Sequence, residues 1–410
     1  MSRDFDVLIV GAGVVGAAMG ALLLARNLCA PGRVGIIADR LPPDRAPDAD
    51  WGLRVFALSR ASERLLRHCR VWDALPPPRV FAYERMCVWD AGGAPQGKGS
   101  LSFDCAELGE PNLGYIVEGN TLQRHCLRQA TAAGAVLIEG GLQRIDIDAD
   151  CARIGLHDGR QLRSALLIAA DGTESMARDL LGIDTAGHGY AQDALVAHVR
   201  TAQPHRNTAW QRFLASGPLA FLPLPDGRSS VVWSVGCCEA KRLKELDAKA
   251  FAAALSAAAD EVLGEVELTT PVASFPLRLQ YALRYVRPHA LLLGDAAHVV
   301  HPLAGQGLNL GLLDCGSLAE VLSAEQDPRR FGDYRLLRRY ERWRRSENLL
   351  AATALDALER LFADSNPGVS GLRAAGLSAV GKLAFVKRQF AQRALGLIGD
   401  VPGFLRVDPP

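Results

Sequence analysis

The apolar and polar positions near the start of the chain predict a strand, a helix and a second strand. An uncharged apolar run at residues 7–10 leads into a glycine-rich turn, and a long apolar stretch continues to Ala25. Residues 34–38 repeat the strand pattern and are followed by Asp39. This order predicts a βαβ unit and therefore a parallel sheet.

Helical and strand patterns then alternate along the chain. Helical periodicity appears at residues 58–75 and 121–133, and a basic helical region follows Asp327. Short apolar segments bounded by glycine or proline predict strands at residues 80–103, 135–138, 142–147, 152–157, 166–169, 195–238 and 286–293. The chain therefore alternates between a nucleotide-binding type of sheet and a second sheet, so neither domain is continuous in sequence.

The composition is that of an ordinary globular enzyme. Of the 410 residues, 49% are hydrophobic and 22% are charged, and the net charge of +1 argues against bulk attraction to nucleic acid. The nine cysteines show no framework spacing, which indicates reduced thiols. Residues 7–25 lack charge and are long enough to span a membrane, but Asp4 and Asp6 precede them and glycines interrupt them. We therefore expect a buried segment and a cytoplasmic protein.

The glycine-rich turn reads Gly11-Ala12-Gly13-Val14-Val15-Gly16. In a G-x-G-x-x-G motif between a strand and a helix, Gly11 permits the tight turn and Gly13 lets the backbone approach a pyrophosphate. Gly16 lets the helix and strand pack closely. The N-terminus of the helix attracts the phosphates, and Asp39 is placed to accept hydrogen bonds from a ribose. The motif predicts dinucleotide binding but does not distinguish FAD from NAD.

A second glycine-rich motif runs from Leu293 to Asp314. A strand that ends at Gly294 places Asp295 to hydrogen-bond a ribityl hydroxyl of a flavin. Gly305 and the nearby Gly307 free backbone N–H groups at the start of a helix, where they would stabilise negative charge at the flavin N1–C2=O.

Two histidines in this region, His298 and His301, raise the question of a metal site. No carboxylate or cysteine completes a ligand set, so no metal is predicted. The same histidines, or Tyr115, are candidates for handling a substrate proton, although each is more often structural.

The second motif resembles, nearly residue for residue, the second FAD fingerprint of the class A flavoprotein aromatic hydroxylases, and most closely the ubiquinone-biosynthesis hydroxylases among them. The motif at residues 11–16 matches the same family. Residues 170–175 with Arg178 are similar to its DG motif, which is associated with FAD and NAD(P)H. The resemblance extends from Val7 to about Phe362. Two positions depart from the family pattern. Glutamate is more usual than aspartate at the position of Asp39, and Met176-Ala177 are not the commonest residues at their place in the DG motif.

The resemblance implies a set of flavin-site residues in this chain. Arg54 and Gln123 stand where the family places flavin-contacting side chains. Pro302, Gly305 and Gln306 would form the surroundings of the flavin ring, with no side-chain acid or base assigned. The full cofactor-binding set is Gly11, Gly13, Gly16, Asp39, Arg54, Gln123, Asp171, Gly172, Gly294, Asp295, Pro302, Gly305, Gln306, Gly307, Leu308 and Asn309.

The resemblance also implies a function. It indicates an FAD-dependent monooxygenase that consumes NAD(P)H and O2 and hydroxylates the aromatic ring of a lipophilic, polyprenylated ubiquinone precursor through a flavin C4a-hydroperoxide. Because no second G-x-G-x-x-G occurs, NAD(P)H is expected to bind only transiently as a co-substrate. Two alternatives stay open: another flavin-dependent reductase or dehydrogenase on this fold, and a non-catalytic flavin-holding subunit of a membrane-associated assembly.

The predicted fold is α/β, with a Rossmann-like FAD-binding domain interleaved with a β-sheet substrate domain and followed by C-terminal helices. The FAD-binding domain is assigned residues 1–75, 100–182 and 276–365, and the substrate domain residues 76–99 and 183–275. The tail, residues 366–410, mixes apolar and basic positions. It either packs on the domain or docks on the inner membrane surface or on a biosynthetic complex.

Overall fold

The first sheet contains the predicted βαβ unit. The computed structural model describes residues 4–42, 50–95, 97, 99–302, 305–363, 376 and 383–406. Within these residues the first sheet has eight strands: β1 (Phe5–Val10), β2 (Val34–Ala38), β8 (Val136–Glu139), β9 (Leu142–Ile147), β10 (Ala152–Leu156), β11 (Gln161–Ala169), β18 (Val286–Arg287) and β19 (Ala290–Leu292). Five of them, in the order β19-β11-β1-β2-β8, are parallel. The parallel sheet is therefore confirmed.

The helices of the chain cover this sheet and connect it to the others. They are α1 (Val14–Ala25), α2 (Arg60–His68), α3 (Cys105–Leu108), α4 (Gly119–Ala132), α5 (Met176–Leu180), α6 (Cys237–Glu245), α7 (Ala248–Ala258), α8 (Gln306–Leu322), α9 (Tyr334–Ala363) and α10 (Ala384–Ala394). Both β1 and β2 are buried along their whole length, as expected for central parallel strands. The main hydrophobic core joins them to α1, α4 and α8.

The second sheet is mostly antiparallel. Its nine strands are β5 (Arg85–Asp90), β6 (Ser100–Asp104), β12 (Thr185–Thr201), β13 (Thr208–Leu214), β14 (Gly217–Pro223), β15 (Ser229–Gly236), β16 (Val266–Leu268), β17 (Ala273–Ala282) and β20 (His298–Val299). One face packs against α6 and α7 in a second core. A smaller third sheet consists of β3 (Val55–Leu58), β7 (Gly114–Glu118) and β4 (Val80–Tyr83), in that order.

The strand pairing moves two predicted domain boundaries. The predicted boundary between residues 99 and 100 cuts a pair, because β6 is hydrogen-bonded to β5 in the second sheet. The boundary between 275 and 276 falls inside β17, which pairs with β12 along most of its length. In the opposite direction, β4 was predicted in the substrate segment but pairs with β7 in the third sheet. A local apolar pattern identifies a strand but not the sheet to which it belongs.

Smaller differences arise where the chain turns. The strand predicted at residues 286–293 is a hairpin of β18 and β19, with His289 in the left-handed region at φ 58°. The helix predicted at 58–75 begins two residues later and ends at His68, and a short 3-10 turn follows at Trp72–Ala74. All nine cysteines are free, in agreement with reduced thiols.

Part of the predicted tail lies outside the described residues, at positions 366–375, 377–382 and 407–410. Its described part contains α10 and a short turn at Gly403–Leu405. In the part of the chain that the structure describes, no helix is long and apolar enough to cross a membrane.

Candidate functional site

One cavity of about 1080 Å³ lies between the parallel sheet and the second sheet. The glycine loop, the DG motif and the N-terminal end of α8 line one side. Cavity-facing residues of β13, β14 and β15 line the other side. The volume is at the upper end of the roughly 300–1,000 Å³ that small-molecule pockets occupy, so a cofactor ring and a substrate can share it.

The glycine loop leaves open space at the position where a pyrophosphate would lie. A Cβ atom on Gly13 would have no other atom within 4 Å, whereas one on Gly16 would lie 2.1 Å from the carbonyl oxygen of Gly11. Gly11 itself has φ 107°, and a Cβ there would lie 2.4 Å from the carbonyl oxygen of Ala170. The loop thus packs tightly against the sheet and stays open toward the cavity, where the N-terminus of α1 faces an anion.

Three further side chains surround this end of the cavity. Asp39 is exposed at the end of β2 and lines the cavity, as does Arg54. The Nε2 amide of Gln123, on α4, donates a 2.9 Å hydrogen bond to the carbonyl oxygen of Ala12. Gln123 therefore supports the glycine loop as well as lining the cavity.

The DG motif is connected to the second glycine-rich motif by an arginine. Asp171 accepts hydrogen bonds from Ser175 Oγ at 2.5 Å and from the backbone N–H of Ala177 at 2.9 Å, which orders the start of α5. The buried guanidinium of Arg178 donates to the carbonyl oxygen of Ala296 at 3.3 Å. The two motifs are consequently fixed relative to each other on the same side of the cavity.

Asp295 is a partly buried acidic group that lines the cavity. No described residue donates a hydrogen bond to its carboxylate, and burial raises the pKa of Asp295 above its usual value, although Arg54 and His298 act in the opposite direction. A buried acceptor without partners is costly unless a ligand supplies donors. Hydroxyl groups of a ribityl chain meet that requirement, so the residues present fit a flavin.

The first turn of α8 faces the same space. Gly305 precedes the helix in the left-handed conformation, with φ 62°, and the following residues 306–309 line the cavity. The first N–H groups of a helix lack intrahelical partners and carry a partial positive charge. They are placed to stabilise negative charge on a bound ring.

Beneath this turn, a buried ionic cluster holds α8 to the loop after β19. The carboxylate of Asp314 accepts hydrogen bonds from His298 Nε2 at 2.6 Å, Arg344 Nε at 2.7 Å and Asn348 Nδ2 at 3.0 Å. It also accepts one from the backbone N–H of Gly294 at 3.2 Å. Burial alone would raise the pKa of Asp314, but the charges of His298 and Arg344 and these hydrogen bonds lower it to about 2.

Comparison with known proteins identifies the family. Residues 144–352 match the family described as FAD binding domain. The chain is 35% identical over 402 residues to the 3-demethoxyubiquinol 3-hydroxylase of Escherichia coli, covering 97% of this chain and 100% of the relative. It is 36% identical over 399 residues to the ubiquinone hydroxylase UbiL of Rhodospirillum rubrum, covering 96% and 90%. The chain belongs to the family of FAD-dependent ubiquinone hydroxylases.

The fold of this hydroxylase agrees with that membership. The crystal structure of p-nitrophenol 4-monooxygenase PnpA from Pseudomonas putida superimposes with a TM-score of 0.74 and 18% identity, covering 96% of this chain and 99% of that one. At that identity the likeness shows the shared fold alone. The family model and the relatives together establish an FAD-dependent monooxygenase.

All of the hydroxylase's predicted cofactor residues except Gly16 and Gly294 line the cavity. Those two pack against protein instead: a Cβ on Gly294 would lie 3.1 Å from a methyl group of Val15. Asn309 lines the cavity, but its side-chain amide is hydrogen-bonded within the protein. Its Oδ1 accepts from the backbone N–H of Ser59 at 2.9 Å, and its Nδ2 donates to the carbonyl oxygen of Ala57 at 2.9 Å.

The three candidates for proton handling do not line the cavity. His298 is bonded to Asp314, and the hydroxyl of Tyr115 is bonded to Arg60 and Asn112. His301 is buried, and neither of its ring nitrogens has a hydrogen-bond partner among the described residues. Residue type and position in the sequence suggested these three side chains, but neither determines where a side chain points.

The cavity-lining residues of the second sheet were not predicted from the sequence. They come from alternate positions of three strands and include two polar side chains, Gln211 and Ser234. Each is polar within an otherwise apolar cavity-facing series, and this is the signal that could have identified them. Among the described residues, no three His, Cys, Asp or Glu side chains are grouped as a metal site requires.

Proposed function

We propose that this chain hydroxylates the aromatic ring of a polyprenylated ubiquinone precursor, with FAD as bound cofactor and NAD(P)H and O2 as co-substrates. The observation that supports this most directly is that flavin-type motifs and a mostly apolar sheet surface face each other across one cavity. The balanced reaction converts an aromatic C–H, O2, NAD(P)H and a proton into a phenol, water and NAD(P)+. The names of the relatives supply the ubiquinone-precursor class.

In this proposal each motif holds one part of the cofactor. The loop containing Gly13 and the N-terminus of α1 bind the pyrophosphate, and Asp39 binds the adenosine ribose. Asp295 binds the ribityl chain, and Pro302 and the first turn of α8 surround the ring. When bound and reduced, FAD activates O2 and supplies the oxygen atom that the ring receives.

The protein supplies orientation and exclusion of water. The N-terminal dipole of α8 stabilises negative charge on the bound ring, and the apolar residues of the cavity keep water away from the reacting atoms. The fixed contacts of Asn309 with residues 57–59 hold the start of α8 in place while the ring is bound.

The test is oxygen incorporation from 18O2 into a prenylated phenol by the FAD-loaded protein. We expect NAD(P)H oxidation to rise on addition of the phenol, with one labelled oxygen atom in the product. Asp295→Asn should lower FAD retention, whereas the exposed control Asp73→Asn should retain FAD and activity. Flavin reduction without labelled product would favour a reductase. Full biological complementation by a flavin-free variant would favour the non-catalytic subunit.

We also propose peripheral association with a membrane through α10. Phe385 and Phe390 are 75% and 61% exposed, and the exposed Arg388 lies between them. Phe390 also lines the cavity, so this surface adjoins its opening. Exposed aromatic and basic groups on one helix favour an anionic lipid surface, which is where a polyprenylated substrate resides.

Flotation with vesicles containing phosphatidylglycerol tests this proposal. The protein should float with anionic vesicles at low salt, and Phe385→Ser should reduce the bound fraction several-fold. The control Val136→Ser removes a partly exposed apolar side chain on β8 and should leave flotation unchanged. Equal flotation of both variants would contradict the assignment to α10.

A further inference from the structure

The second sheet presents opposite faces to two different environments. Alternate residues of a strand point to opposite sides of the sheet. Phe221 and Trp233 point toward α6 and α7 and are buried in the second core. The intervening positions face the cavity, where Gln211 on β13, Ala220 on β14 and Val232 on β15 lie side by side. This series forms the part of the cavity that a substrate ring would contact.

Two polar side chains in this series have no partner in the part of the chain that the structure describes. Gln211 is 6% exposed and Ser234 is 1% exposed, and neither side chain makes a hydrogen bond with any described residue. Their neighbours on the cavity surface are apolar: Met86, Pro218, Ala220, Leu222 and Val232. Buried polar groups are nearly always hydrogen-bonded, and an unsatisfied one destabilises the protein. Polar atoms of a ligand would satisfy both groups.

The strand register separates the two groups by a distance that suits an aromatic ring. Gln211 is opposite Ala220, which is opposite Val232, and Ser234 lies two residues beyond Val232 on the same face. Two strand spacings and a two-residue step put the two backbones roughly 12 Å apart. An aromatic ring with oxygen substituents on opposite sides, together with a hydrogen bond of about 2.8 Å at each end, spans a similar distance. One oxygen atom cannot reach both groups.

We propose that Gln211 and Ser234 form an orienting subsite that hydrogen-bonds two oxygen substituents on opposite sides of the substrate's aromatic ring. The inference rests on the proposed function, since it assumes a ring substrate in this cavity. An amide and a hydroxyl each donate and accept, so phenol and methoxy oxygens both suit them. Attachment at two points determines which ring carbon faces Pro302 and α8. The subsite therefore sets the position of hydroxylation.

The test uses two ligands with the FAD-loaded protein: 2-prenyl-4-methoxyphenol and 2-prenylphenol, which lacks the second oxygen. Dissociation constants are measured from the change in flavin absorbance, and products are identified by mass analysis. The wild type should bind the methoxy compound about tenfold more tightly, the usual effect of one hydrogen bond to a buried group. One of the two variants, Gln211→Leu or Ser234→Ala, removes the partner of the methoxy oxygen, and in that variant the ratio should fall below about twofold. The other variant removes the partner of the phenol oxygen, which both ligands carry, so it should weaken the binding of both ligands equally.

The control Leu222→Ala removes apolar contact from the same surface, so it should weaken both ligands and preserve their ratio. With the true substrate, both polar variants should yield less product per NAD(P)H oxidised and a mixture of positional isomers. Retention of the tenfold ratio in both variants, or its absence from the wild type, would overturn the subsite. Because the ratio is a binding measurement, it decides the subsite even where no labelled product forms, and a lack of product refutes only the proposed hydroxylation.

Discussion

Replacement of Asp314 by asparagine preserves the shape of the side chain and removes its charge. Asp314 is completely buried and its partner Arg344 is 2% exposed, so the variant leaves a buried guanidinium without its counter-ion. Removing one member of a buried ion pair costs roughly 3–5 kcal/mol. The lowered pKa gives an independent figure: a shift from 3.8 to about 2 corresponds to roughly 2.4 kcal/mol. Both figures are a large part of the total stability expected of a domain.

The pH dependence of this effect has a defined sign. The pKa of Asp314 in the folded protein is lower than in the unfolded chain, so the folded state favours the ionised form. The stabilisation is complete above about pH 4 and is lost as the pH falls toward 2. The difference in unfolding free energy between the wild type and Asp314→Asn should therefore be constant near neutrality and smaller by roughly 1 kcal/mol at pH 3.

Urea unfolding of the FAD-free protein, followed by circular dichroism, measures both effects. The control is Asp146→Asn, which removes an exposed ion pair with Arg144 and should leave the urea midpoint unchanged. A loss below about 1 kcal/mol in Asp314→Asn would refute the argument, because it would mean that water reaches the cluster and screens its charges. A loss of full size without any pH dependence would refute the ionised state of Asp314.

Further predictions concern the glycine loop and a buried histidine. Gly13→Ala should keep its urea midpoint but bind FAD at least tenfold more weakly, because the new methyl group occupies the open space that the pyrophosphate would fill. Gly16→Ala should lose stability, because its Cβ would meet the carbonyl oxygen of Gly11. Equal stability of the two variants would contradict this assignment. Burial lowers the pKa of His301 to about 4. Between pH 6.5 and 4 the ring of this histidine is therefore protonated only in the unfolded chain. The free energy of unfolding should fall by about 3 kcal/mol as the pH decreases through that range. In His301→Gln this decrease should be smaller in urea titrations, and an unchanged pH profile would show that the His301 ring is hydrated.

The backbone-defined parts of the site were predictable from the sequence. Gly11, Gly13 and Gly305 mark positions where a positive φ, an open approach or a helix start is required, and such requirements act over a few neighbouring residues. The motif at residues 11–16 therefore identified the turn and the helix without knowledge of the rest of the chain. The continuous apolar runs of β1 and β2 identified the buried parallel strands in the same way.

Pairing between distant strands was not predictable from local patterns. The apolar residues of β6 are compatible with either sheet, and only the hydrogen bonds to β5 determine its place. Similarly, the strand signal at residues 286–293 does not reveal the left-handed residue His289, at which the chain turns back. Both errors concern long-range contacts or one backbone angle, to which hydrophobic periodicity is insensitive.

The same distinction explains why the glycine-rich motifs that line the cavity were predicted and the strand residues that line it were missed. Backbone groups and helix termini provide much of the binding of a flavin. Its site is therefore expected to consist of contiguous motifs such as residues 11–16 and 293–314. A substrate ring is bound by side chains whose direction depends on the face of a strand, and a shift of one residue in register would bury Gln211 against α6 and α7 instead. Gln211 and Ser234 come from separate strands and meet only through the pairing of β13, β14 and β15. Under the proposed subsite, single substitutions on these strands are therefore expected to change the ring position that is hydroxylated without altering the flavin motifs.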